Sequence, residues 1–308
     1  MNALWQQLAA ASLVTGDPPP PAAEGPAWYV NALLGFAAWV AALFLTIAIV
    51  VFFYAEQLLG VVGAVACAAG LGLLRVPNPF VTQLGLAASI AGQAGMFIGV
   101  AGHFHDFRQS AAAMAAILIA PSLLTSNPIY RAWCTGASLL LLAASLESWA
   151  PLTVGLAAAL VTVTFLVFPK IPRAYGYGAA IALVGIDLIA EFGRFPHPQA
   201  AYAGGLLAGV ALVYVAHRFF GQKGSVCAAL ISLVLIPAQG VTAALLIIVI
   251  GFGRAAPVLT GLGIAAGLGY LSHYYYALSF TLLNKSLVLM ATGLVLLALR
   301  WFLFRRAA

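Results

Sequence analysis

Long uncharged apolar runs recur along this 308-residue chain, each broken by a proline, a glycine or a single charge. They fall at about 29 to 53, 58 to 74, 80 to 101, 109 to 125, 131 to 147, 150 to 168, 174 to 190, 200 to 219, 225 to 236, 240 to 252, 258 to 279 and 286 to 304. None alternates with the period of two that a barrel strand requires. Most approach the ~20 residues a helix needs to cross a bilayer. Backbone groups in hydrocarbon must be satisfied within their own segment, so the pattern predicts an all-α, polytopic transmembrane helical bundle of about 12 helices.

Composition points the same way. Hydrophobic residues make up 64% of the chain and charged residues 6%, against roughly 25% charged in a soluble domain. The net charge of +6 does not point to nucleic acid, because the basic residues stand singly between apolar runs. They serve instead as a ruler for orientation, since cytoplasmic connections collect Lys and Arg. Assigning the connections alternately to two sides puts Arg75, Arg131, Lys170, Arg173, Arg218, Lys223, Arg254, Arg300, Arg305 and Arg306 on the side of both termini. Only Arg108, Arg194 and Lys285 fall on the other. Merging residues 225 to 252 into one helix would leave seven against six, so the count predicts two separate runs there and both termini in the cytoplasm.

Those two runs are short, at roughly 20 Å of helix against a ~30 Å hydrocarbon core. They are expected either as two short spanning helices or as a re-entrant hairpin broken around Pro237, Gln239 and Gly240, which would make ten helices plus the hairpin. Residues 1–27 form a cytoplasmic N-terminal segment, with an interfacial helix expected over residues 2 to 14 and a connector held extended by Pro18 to Pro21. Residues 28–308 form a single transmembrane domain. Cys67, Cys134 and Cys227 lie inside apolar runs without a CxxC pair and read as packing residues.

Ionisable residues inside a membrane are costly, and so mark candidate sites. Asp187 and Glu191 are four residues apart on one expected helix face, near the outer end of their run. His273 lies about 22 Å into its run by helical rise, with Tyr270 and Tyr276 expected on its face, and Lys285 opens the final run at a similar depth. Asp187, Glu191, His273, Tyr276 and Lys285 are therefore expected in one outer layer of the bilayer, either as a polar cluster or as separate residues at the membrane's edge. Gln93 is expected to hydrogen-bond across helices. His103 and His105 have a spacing that could contact a metal, but without other ligands in view they read as part of a solvated connection. No Walker A loop, HExxH, GxSxG or dinucleotide fingerprint is present, so no cofactor is expected and catalysis finds no motif.

Two stretches carry a resemblance. One is Pro26-Ala-Trp-Tyr-Val-Asn-Ala-Leu-Leu-Gly-Phe-Ala-Ala-Trp-Val-Ala-Ala-Leu-Phe-Leu45, and the other Tyr275-Tyr-Ala-Leu-Ser-Phe-Thr-Leu-Leu-Asn-Lys-Ser286 with the later Gly293 and Arg300. Together they resemble an uncharacterised family of bacterial multi-pass membrane proteins, a domain of unknown function. The resemblance implies a bacterial inner-membrane location. It also implies a partner, a small membrane-anchored protein with a Gly-Asp-Tyr-x-x-Leu-x-Tyr motif. The leading expectation for function is transport or permeation of a small solute or ion through the polar layer. The alternative is a non-transporting envelope assembly or scaffold subunit, with a membrane-embedded metal enzyme third.

Overall fold

Prolines at helix starts set much of the architecture, because the first turn of a helix has no use for the N–H that proline lacks. The computed structural model describes residues 28–52, 56–146, 150–168, 170–192, 198–235 and 238–277, with single positions 11, 286 and 290. The expected N-terminal helix and connector, Pro237, Lys285 and the final run lie outside the described residues, as does the side chain of Glu191. Every regular element among the described residues is helical.

The helices are α1 (Trp28–Phe52), α2 (Glu56–Leu73), α3 (Pro79–Phe104), α4 (Phe107–Ile117), α5 (Ile119–Leu124), α6 (Pro128–Leu146), α7 (Ala150–Thr162, continued by a π turn at Val163–Val167), α8 (Arg173–Phe192), α9 (Pro198–Val234), α10 (Gln239–Gly253) and α11 (Pro257–Ala277). Asn78 caps α3, its Oδ1 accepting from Phe80 N at 3.0 Å and Val81 N at 3.2 Å. Asn127 does the same for α6 through Ile129 N and Tyr130 N. Asp106 caps α4 by accepting from Arg108 N at 3.0 Å, which gives the His103–Asp106 connection a local structural role. The single run expected at 109 to 125 divides into α4 and α5, because Pro121 cannot donate to the carbonyl four residues back and the helix resets at Leu118.

Among the described residues, four segments are by length and composition long and apolar enough to cross a membrane: Pro79–Phe104, Phe107–Leu124, Pro128–Leu146 and Tyr202–Val234, the last of which is interrupted at Gly221. Their surroundings match, since Leu33, Phe36, Phe44, Val210, Phe252 and Val258 each expose 60% or more of their surface, an apolar exterior suited to lipid and poorly suited to water.

Helix α9 is continuous only in name. Gly221 holds φ 69° and ψ −159° in its middle, and a methyl added at Gly209 would come within 3.0 Å of Ser232 Cβ. In a straight helix those residues would stand ~34 Å apart. The chain therefore reverses at Gly221 into antiparallel arms, 198–220 and 222–234, matching the separate runs expected at 200 to 219 and 225 to 236. Glycine suits the reversal because a side chain rarely adopts this positive φ.

Two packed regions result. Helices α7 to α10 share a core of small and branched side chains, among them Val154, Ala158, Val161, Leu183 and Ile247. Helices α2 and α3 approach more closely than side chains would allow, since a methyl at Gly92 would lie 2.5 Å from Cys67 N and from Gly63 O.

A buried polar layer as the candidate functional site

The second arm of α9 and helix α10 form a hairpin. At its base Gly253 packs against the end of the first arm of α9, where a methyl would lie 2.5 Å from Cζ of Phe219. At its tip, Ala238 N donates to Leu235 O and Val241 N to Ala238 O. Gly240 is buried at the start of α10, where a methyl would come within 2.5 Å of Cε1, 2.6 Å of Cδ1 and 2.8 Å of Cζ of Tyr270. The Tyr270 ring is 1% exposed and packs with Val241 and Ala244. Its hydroxyl donates to the Val184 carbonyl at 2.7 Å.

These contacts tie three elements together at one level. Asp187 is one turn beyond Val184 on α8 and fully buried. Counting helical rise from Arg173, Gly253 and Pro257, Asp187, Gly240 and Tyr270 each stand about 20 Å from the same end of the bundle. Gln239 and Thr242 are buried beside Gly240, and Gln239 Oε1 and Thr242 Oγ1 have no hydrogen-bond partner among the described residues. Ser232 Oγ, on the other hairpin arm, is in the same condition. Unpaired buried polar atoms cost about 1–3 kcal/mol each, so a chain that keeps three of them in one hairpin sacrifices stability there.

Placement of the expected site residues is uneven. Asp187, Gln239 and Gly240 come to a common layer through Tyr270, and His273 is half-buried one turn further along α11. Tyr276 diverges from them at 80% exposed. Tyr270 and Tyr276 flank His273 by one turn on either side and stand about 120° apart around the helix, Tyr270 turned inward and Tyr276 outward. Tyr276 stacks edge-on with Tyr275 instead, at a centroid distance of 5.4 Å.

A second polar centre joins α2, α3 and α6. Gln93 Nε2 donates to Tyr130 Oη at 2.6 Å and to Cys134 Sγ at 3.3 Å, and Trp133 Nε1 donates to Gln93 Oε1 at 2.8 Å. Cys67 Sγ lies 3.4 Å from the same phenol oxygen. Gln93 thus bonds across helices as its position suggested. The convergence of two cysteines 67 positions apart on one tyrosine left no trace in their spacing; the available hint was a tyrosine one turn before Cys134, at the edge of the run expected at 131 to 147. Among the described residues, no three His, Cys, Asp or Glu side chains gather in a group that could hold a metal.

A family model described as a domain of unknown function, DUF4401, matches residues 27–306. The chain belongs to that family, which spans both packed regions and the polar layer. No curated protein and no solved structure matches the chain.

Proposed function

We propose that this chain is a multi-pass protein of the bacterial inner membrane, with about 12 helical segments and cytoplasmic termini, that moves a small solute or ion past the tip of the 222–253 hairpin. The observation that carries the reading is the pair of unpartnered buried oxygens, Gln239 Oε1 and Thr242 Oγ1, at the level of the fully buried Asp187. A hairpin tip ~20 Å into a ~30 Å hydrocarbon core resembles the broken helices of transporters, whose freed polar groups meet the substrate. Asp187 supplies the charge, His273 exchanges protons with it, and Gln239, Thr242 and the turn carbonyls offer oxygens to the permeant. Reconstituted in proteoliposomes, the protein should carry flux of protons or of a small solute that falls at least tenfold in Asp187→Asn and in Gln239→Leu. Flux unchanged in both, at equal reconstitution, refutes the site.

The 80% exposure of Tyr276 favours a second reading, in which the aromatic end of α11 docks the small membrane-anchored partner of an assembly complex. Co-purification of that partner should then weaken on Tyr276→Ala while Asp187→Asn leaves it intact.

A further inference from the structure

We propose that the opposite end of the bundle, around the π turn, binds the headgroup of an anionic phospholipid. This rests on the membrane location above and is independent of transport. Three contacts gather its parts. Arg254 Nη2 donates to Leu166 O at 3.2 Å, which ties the α10–α11 turn to the π turn. Gly253 packs on the ring of Phe219, which brings in the Gly221 reversal. Gly176 of α8 packs on Thr164 and Phe165. Lys170, Arg173, Arg218, Lys223 and Arg254, all exposed, therefore surround one rim.

Among the described residues of the segments that form that rim, no acid stands beside the cations. Between residues 150 and 277 the only acids are Asp187 and Glu191, and Asp187 stands ~21 Å further along α8. Immediately beside the cations, Phe168, Phe220, Phe252 and Val258 are more than half exposed. That combination selects a lipid over a free anion. A diester phosphate is met by a guanidinium already held by Leu166 O, whose remaining N–H groups stay free to form a forked contact. The acyl chains then cover apolar side chains from which inorganic phosphate gains nothing. Basic pockets between helices on the cytoplasmic side bind such headgroups by this chemistry.

The test uses the full chain, delipidated in a neutral detergent, with its thermal unfolding followed as lipid is added. Cardiolipin or phosphatidylglycerol should raise the midpoint and phosphatidylcholine should not. The half-saturating concentration should rise about fivefold for each cation removed in Lys170→Ala and Arg254→Ala. Lys223→Ala, on an exposed side chain, replaces Arg254→Ala should the latter fail to fold. Arg75→Ala, on the α2–α3 turn outside this rim, should leave binding unchanged. An equal response to phosphatidylcholine, equal weakening by Arg75→Ala, or the same shift with inorganic phosphate alone overturns the proposal.

Discussion

Replacing Gly240 with alanine tests the contact on which the polar layer depends. The new methyl would sit 2.5 to 2.8 Å from three atoms of the Tyr270 ring, where carbon atoms settle at about 3.5–4.0 Å. Either the ring or the hairpin tip must shift by roughly 1 Å. The ring has little freedom: it is 1% exposed, packed by Val241 and Ala244, and held by its 2.7 Å hydrogen bond to Val184 O. Overpacking of this kind costs about 1–3 kcal/mol, and losing the hydroxyl's bond adds about 0.6–1.7 kcal/mol in a membrane setting. Against this, alanine favours the helix over glycine by about 1 kcal/mol. The expected net is a loss of about 1–3 kcal/mol, read as an earlier midpoint when detergent-solubilised protein is titrated with sodium dodecyl sulfate. In a Tyr270→Leu background the clash disappears while the propensity gain remains, so the same substitution should become neutral or stabilising by up to about 1 kcal/mol. Equal destabilisation in both backgrounds would refute the Gly240–Tyr270 contact as its cause.

What the sequence disclosed follows from which signals are local. The runs expected from 80, 131, 200 and 258 begin within three residues of the helix starts at Pro79, Pro128, Pro198 and Pro257, because proline both breaks the preceding pattern and suits the first turn without reference to the rest of the fold. The reversal at Gly221 was legible as a gap between the runs expected at 200 to 219 and 225 to 236, whereas charge counting spoke for the separate break within residues 225 to 252. The interruption at Pro121 carried an equally local signal that a hydrophobicity pattern overrides, because Pro121 is itself buried and apolar. For the candidate site, composition singled out Asp187 and the Gln239–Gly240 break separately. Their joining depends on Tyr270 reaching Val184 across 86 positions, and no periodicity encodes that partner. The Gln93–Tyr130 centre shows the same limit: Gln93 looked polar in an apolar run, but its partner stands 37 positions away on α6, just before the run expected at 131 to 147, and no local pattern encodes that pairing.

Two further substitutions probe the other region of the bundle. Gly92→Ala should cost more than Gly240→Ala, roughly 3 kcal/mol, because its methyl meets the backbone atoms Cys67 N and Gly63 O, which no rotamer change can move. Gly72→Ala, with nothing within 4 Å, should instead be neutral or slightly stabilising in the same titration, and matching effects at the two sites would contradict close α2–α3 contact. Gln93→Leu strands the fully buried Tyr130 hydroxyl beside Cys67 and removes the acceptor of Trp133 Nε1, so a loss of about 1–3 kcal/mol is expected. Tyr130→Phe in that background removes the stranded hydroxyl, so the double variant should be more stable than the sum of the single losses predicts. Strict additivity would mean that the two side chains do not share the bond that joins α3 to α6.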